Sequence, residues 1–227
     1  MILLAIDTSG KDGSIALARA PEDARDASEL TILEIVPLEG GTFSAQLVPQ
    51  IAGLLAKQGL GTHDITAFAV ASGPGSFTGL RVGLAAIKAL AEILGKPIAA
   101  VSRLEALARA PGIRGTLIAA LDAGRGEVYA GIYDVEDAAQ MHSERLLTIS
   151  ELLGEGVGDV LVTPDAKLAE TARAAGLRVE QVDLVRSDAI ARLGWEKIRK
   201  GETVSPEDLE ANYIRRSDAE IFARSQP

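Results

Sequence analysis

The feature that most constrains this chain is an internal repeat. Residues 2–18 read ILLAIDTSGKDGSIALA, and residues 117–133 read LIAALDAGRGEVYAGIY. Each is an apolar run that reaches an acid, crosses a glycine-containing turn and enters a second apolar run. The anchoring acids, Asp7 and Asp122, lie 115 positions apart in a chain of 227 residues. Unbroken apolar runs suit strands that are covered on both faces. Gly10 and Gly13 in one turn, and Gly124 and Gly126 in the other, mark hairpin connections. The chain therefore reads as two similar halves, each opening on a hairpin.

Strand and helix patterns alternate after each hairpin. Residues 31–36 (TILEIV) predict a third strand, and Leu47, Ile51, Leu54 and Leu55 give residues 44–58 one helical face. Residues 65–72 predict a strand, 79–94 a long helix stopped by Gly95 and Pro97, and 97–101 another buried strand. Ser102 and Glu105 form an S-x-x-E capping pattern, which predicts a helix over 103–109. The second half predicts strands near 117–122, 127–133 and 158–163, and helices near 165–175, 187–200 and 206–211. Trp195 falls at helical spacing with Ile190, Ala191 and Ile198, as a core anchor would. Residues 19–30 (RAPEDARDASEL) read as a solvated loop. This order of elements predicts two α/β lobes. Pro111, Gly112 and Gly115 break the pattern near the boundary, so the lobes are assigned to residues 1–105 and 106–227, with the last helix free to pack back on the first lobe.

Composition narrows the chemistry. With no Cys, thiol catalysis and disulfides are excluded, and a cytoplasmic location is expected. His63 and His142, 79 positions apart, offer little for a metal site or a Ser-His-Asp triad. Against 32 Asp and Glu there are 23 Lys and Arg, and the resulting net charge of −9 disfavours an independent grip on nucleic acid. No apolar run reaches the ~18–20 residues that span a bilayer, and no signal peptide is expected at MILLAIDTSG, so no membrane partner is expected either.

The most distinctive string is ASGPGSFTGLRVG, residues 71–83. A strand runs into a glycine turn and a helix follows, an arrangement whose free N–H groups suit an anion. It is neither a Walker A loop, since Leu80-Arg81 stands where Lys-Ser/Thr is required, nor a dinucleotide fingerprint, since its glycines read G-x-G-x-x-x-G. Two readings stay open: an anion site, or a tight strand-to-helix turn with Thr78 as N-cap. Gly79, Gly83, Ala86 and Leu90 then give the helix a small surface, suited to close packing inside the lobe or against a partner.

ILLAIDTSG, the central ASGPGSFTGLRVGLAAIKALAEILGKPIAAVSRLEALA, LDAGRGEVYAGIYD and YIRRSDAE together resemble the bacterial TsaB family, which belongs with tRNA threonylcarbamoyladenosine synthesis. The resemblance spans nearly the whole chain. It implies an α/β, two-lobed actin/sugar-kinase-like (ribonuclease H-like) ATPase fold with duplicated βββαβα lobes. The catalytic relative, TsaD, is similar but carries a helical H-x-x-x-H metal motif, whose histidines align with Arg103 and Leu107 here. A guanidinium and an isobutyl group cannot ligate a divalent metal. The resemblance thus implies a chain with no catalytic residue and no metal site, and a metalloprotease reading falls with the missing pair. Relatives also have His-Ser where this chain has Phe43-Ser44, which leaves Ser44 a capping role.

What the resemblance implies further is a scaffold. The chain would dimerise alone, bind TsaD and the ATPase TsaE in the complex, and reach tRNA only through it. The contact would use helices 44–58 and 79–94, through Leu47, Ile51, Leu54, Val82, Gly83, Ala86 and Leu90. No cofactor would be required by this chain, with ATP or ADP at the interface with the catalytic subunit left open. The alternative is an autonomous ATP-dependent kinase or ATPase, for which Asp7, Thr8, Ser9 and Asp122 are the candidate cofactor-binding residues. Against that role, both acids also suit caps of their own turns through Asx hydrogen bonds. Arg125 and Glu127 share the second turn and suit an ion pair, with each other or with a partner subunit.

Overall fold

In a computed structural model that describes residues 1–155 and 160–215, the opening apolar run forms β1 (Ile2–Asp7). It pairs antiparallel with β2 (Gly13–Arg19), Asp7 opposite Ser14. β3 (Thr31–Leu38) continues the hairpin, and β4 (Ala67–Gly73) and β5 (Ile98–Ser102) add in parallel on the other side of β1. The sheet order is β3-β2-β1-β4-β5.

The two faces of this sheet differ in side-chain size. Leu4, Ile6, Ile15, Leu17, Phe68, Val70 and Ile98 point to one face, where α1 (Phe43–Lys57) and α2 (Phe77–Leu94) cover them. Strand alternation sends Ala5, Ala16, Ala18, Ala69 and Ala99 to the other. With so little side chain in the way, α6 (Ser187–Arg199) packs on β1, β2, β4 and β5. Its Gly194 lies so close that a methyl group there would overlap Ala69 Cβ. Trp195 beside it is 2% exposed, as its spacing predicts. The Ser187 N–H donates to Ser14 Oγ at 3.0 Å, and Arg192 donates to the carbonyls of Ala27 and Leu30.

The chain accordingly divides into Met1–Arg103 with Val185–Asn212, and Leu104–Leu184 with the residues from Tyr213. A single cut after residue 105 differs from this division, because the alanine face of the first sheet is completed by α6. Residues 206–211, expected to be helical, instead form a turn and an irregular stretch. Val204 bridges to Ile98 there, and Leu209 is buried in the first core.

The second unit repeats the plan. β6 (Gly115–Gly124), β7 (Glu127–Val135), β8 (Ala139–Thr148), β9 (Val160–Thr163) and β10 (Arg178–Gln181) lie in the order β10-β9-β6-β7-β8. The central hairpin is antiparallel and the added strands are parallel, as in the first sheet. α3 (Arg103–Arg109) begins at the junction, and α4 (Ile149–Glu155) and α5 (Ala166–Ala174) interrupt the strands as α1 and α2 do. Ile118, Ala130 and Leu161 form a core with Leu152 and Leu168. The sequence reading missed β8, α4 and β10, and its strand from residue 158 starts outside the described residues. Two mixed five-stranded α/β lobes of the same topology make this an actin-like, ribonuclease H-like fold.

One polar device ties three strands of the second sheet. Asp134 on β7 accepts from the Thr116 hydroxyl of β6 at 2.6 Å and meets the His142 ring of β8 at 2.6 Å. The Thr116 bond first, then the His142 bond, holds the Asp134 carboxyl below the usual carboxylate range. A lowered folded-state pKa contributes stability at pH values above about 4, which is lost as pH falls through the folded value. Asp134→Asn should therefore flatten the acid limb of a stability-versus-pH curve measured by urea titration. Gly194→Ala should lower stability by on the order of 3 kcal/mol through overpacking, and Ala69→Gly in the same chain should recover part of it. Chemical denaturation checks both.

Candidate functional site

The end of β1 carries the residues that a nucleotide site would use. Asp7, Thr8 and Ser9 are all buried, at 4%, 3% and 2% exposure. Their polar atoms are engaged within the first unit. Asp7 Oδ1 accepts from the Ser9 N–H at 2.9 Å and from the Ser9 hydroxyl, which closes the turn. The Thr8 hydroxyl donates to the Gly79 carbonyl at 2.7 Å. The Ser76 N–H donates to the Ser9 carbonyl at 2.7 Å.

These bonds seat the β1–β2 turn directly on the start of α2. A methyl group on Gly79 would overlap the Thr8 carbonyl oxygen, one on Gly75 the Ser9 carbonyl oxygen, and one on Gly83 the Thr8 hydroxyl. The space beside the glycines of ASGPGSFTGLRVG is thus filled by the chain itself, by backbone oxygens at Gly75 and Gly79 and by the Thr8 hydroxyl at Gly83. The N-cap is Ser76, whose hydroxyl accepts from the Gly79 N–H at 3.2 Å, and not Thr78 as the spacing suggested. Thr78 lies two residues too late, inside the helix, where the N–H groups ahead of it already bond to helix carbonyls.

Phe43 closes the same region. Its ring lies 3.0 Å from where a Gly13 Cβ would stand and 3.4 Å from that of Gly79, and the residue is buried. Ser44 lies inside α1, and the cap position is Thr42.

Arg103 completes the cluster. Its Nε lies 3.5 Å from Asp7 Oδ2, with both side chains less than a tenth exposed. Nη1 donates to the Pro74 carbonyl at 3.3 Å, while the buried Nε has no hydrogen-bond partner. Leu107, one helical turn on, is fully buried. The two positions hold a structural cation and a core side chain, and among the described residues no group of three or more metal-ligating side chains occurs.

Asp122 lies in the other unit and is exposed. Its Oδ1 accepts from the Gly124 N–H at 2.8 Å, the same Asx closure that Asp7 makes. Both acids therefore cap their turns. Glu127 accepts from Arg215, which also donates to the Ala123 carbonyl at 2.7 Å. The rest of YIRRSDAE, from residue 216, lies outside the described residues.

The expected contact residues separate into two groups. Leu47, Ile51, Leu54 and Gly83 are buried in the first core, so they cannot face a partner. They form the inward stripe that a 3.6-residue period selects, and that stripe packs on the sheet. Val82, Ala86 and Leu90 are half-buried at its edge. The outward surface of the two helices is still rich in apolar residues: Val48 is 67% and Ile93 79% exposed, and Ala45, Ala52, Ala85 and Ala89 are exposed too, beside Gln50, Arg81 and Glu92. That signal was present in the sequence as apolar residues left over once the inward stripe is assigned. No comparable signal marked Arg103 as buried.

No helix among the described residues is long and apolar enough to cross a membrane.

The model of a family described as TsaD: tRNA N6-adenosine threonylcarbamoyltransferase matches residues 35–220. The tRNA threonylcarbamoyladenosine biosynthesis protein TsaB of Bacillus subtilis is 38% identical over 138 residues, 60% of this chain and 57% of that protein. The protein of the same name in Escherichia coli is 28% identical over 234 residues, 96% of each chain. Among solved structures, YeaZ from Pseudomonas aeruginosa superposes with a TM-score of 0.73 at 25% identity, covering 93% of this chain and 99% of that one.

The filled glycine turn makes a direct prediction. Gly79→Ala should cost more than about 3 kcal/mol or prevent folding, because the overlapped atom is backbone and cannot swing away. A thermal melt followed by circular dichroism checks it. A variant that melts like the parent would mean that the glycine serves an anion and not the packing.

Proposed function

Because this chain belongs to the TsaB/YeaZ family, within the broader family of tRNA N6-adenosine threonylcarbamoyltransferases, and so to tRNA threonylcarbamoyladenosine modification, we propose that it acts there as a non-catalytic scaffold subunit. The observation that carries this reading is the outward surface of α1 and α2, where Val48 and Ile93 lie exposed on helices whose inward faces are already satisfied. Burying either side chain against a partner contributes about 1.5–3 kcal/mol.

In this reading the partners are the catalytic relative TsaD and the ATPase TsaE, with a dimer of this chain formed when it is alone. tRNA is held by the assembly, in keeping with the net charge of −9. ATP or ADP, where it binds, sits at the interface with the catalytic subunit, and the complex works in the cytoplasm. The autonomous ATPase reading finds less support. In the first lobe Asp7 is capped by Ser9 and faced by Arg103, and backbone occupies the glycines that would have to admit phosphate.

Reconstitution tests the proposal. Purified catalytic relative, threonylcarbamoyl adenylate and tRNA should give modified adenosine at a rate that rises when this chain is added. No stimulation with both proteins folded would overturn it. Ile93→Glu and Ala52→Glu should each abolish the stimulation while leaving the melting temperature within a few degrees of the parent. Calorimetry showing tight Mg·ATP binding to the isolated chain, lost on Asp7→Ala, would favour the ATPase instead.

A further inference from the structure

The turn between β4 and α2 is held from three directions by residues distant in sequence. From the β1–β2 turn, the Ser9 carbonyl accepts the Ser76 N–H. From the stretch after α6, the Asn212 N–H donates to the Ser72 carbonyl at 2.7 Å, and the Asn212 carbonyl lies 2.9 Å from where a Cβ on Gly73 would stand. From the end of β5, Arg103 reaches both the Pro74 carbonyl and Asp7. Of the three, only Arg103 brings a charge into the interior.

Burying an ion pair is poor value for stability, since matched apolar residues serve as well or better. The pair here is also incomplete, because Arg103 Nε is buried without a hydrogen bond and stands at 3.5 Å from its acid. A long side chain that spans two separate turns fixes their relative position, which apolar packing does loosely. What it fixes is the root of α2. An 18-residue helix is about 27 Å long, so a tilt of about 5° at its first turn moves Ile93, near its far end, by about 2 Å. A shift of that size spoils the fit of a packed interface.

We infer that Arg103 is the positioning residue of the partner-binding surface: by clamping the β4–α2 turn to Asp7, it sets the angle at which α2 presents its outward side chains. This rests on the reading of α1 and α2 as the contact surface. Arg103 touches no partner itself. It acts through the turn.

The test uses the full chain, the purified catalytic relative as binding probe, and the double variant Asp7→Asn/Arg103→Met, which removes both charges and leaves neither buried alone. Its melting temperature should stay within a few degrees of the parent. Its Kd for the catalytic relative should rise about tenfold, the scale of one lost hydrogen-bonded constraint. Amide hydrogen exchange should quicken at residues 76–80 while β1 and β4 stay protected. Arg103→Lys, whose ammonium cannot serve Asp7 and Pro74 together, should give an intermediate Kd, and it serves as the probe should the double variant not fold. Parental affinity in either variant, or exchange that quickens equally throughout the first sheet, overturns the inference. Ile93→Glu separates the two claims. If it binds as tightly as the parent, the contact surface itself has failed and the clamp falls with it. If it loses binding while the double variant keeps it, only the clamp is wrong.

Discussion

The fold of the first lobe depends on one close approach, the seating of the Asp7–Ser9 turn on the start of α2. The approach needs Gly75, Gly79 and Gly83, because backbone and hydroxyl oxygens of the turn occupy the space that side chains there would take. It also needs the turn to be closed, which the Asx bond at Asp7 supplies, and it needs the turn's outward groups to be matched, which Gly79 and Ser76 supply. Each of these elements makes sense only with the others. Once the turn is seated, α2 is fixed over the large aliphatic face of the sheet, and α1 packs beside it.

The two lobes show how one topology carries different energetics. Asp7 ends β1, Asp122 stands two residues before the end of the equivalent β6, and both make the same turn bond, yet one is buried against Arg103 and the other is exposed. The helices that follow β4 and β9 differ as well. α2 is long and begins with glycines that admit the first turn, whereas α5 has nine residues, and its N-cap Asp165 accepts the Leu168 N–H. The first sheet also presents alanines to α6, and Gly194 exploits the space they leave. That pairing of small residues explains why the chain returns to its first half after β10, a connection that strand order alone does not reveal.

Periodicity read from the sequence located the strongly apolar elements to within a few residues, from β1 through α3 and again in β6, β7, α5 and α6. It failed where burial is one-sided or shallow. β8 (AQMHSERLLT) is an edge strand in which Leu147 alone is buried, and β10 (RVEQ) is four residues at the opposite edge, so neither shows alternation. The glycine-rich string was legible as a tight strand-to-helix turn. What filled it was not, because the filling atoms are backbone oxygens from Thr8 and Ser9, which lie about 70 positions earlier and carry no residue-type signature. Arg103 was invisible as a buried group for a related reason. An arginine is expected in solvent unless a partner acid is known to face it, and Asp7 had a sufficient partner in its own turn.

The same misjudgement affected the contact surface. Selecting residues by the strongest apolar spacing on α1 and α2 picked out Leu47, Ile51 and Leu54, and a 3.6-residue period will always find the core stripe first. A contact helix differs from an ordinary surface helix in what remains after that stripe is removed. On an ordinary surface helix the remainder is charged. Here, beside Gln50, Lys57 and Glu92, it includes Ala45, Val48, Ala52, Ala85, Ala89 and Ile93, with Arg81 stacked over the Phe77 ring at 3.7 Å near the root of α2. An apolar remainder on two adjacent helices adds nothing to the lobe's own core, whose sheet face is already covered, and it is the observation on which the proposed partner contact rests. The filled turn and the apolar remainder then belong to one physical account. The first lobe has the turn after β1 seated in the space its glycines leave, and the proposed scaffold role places the partner on the surface that its two helices turn outward.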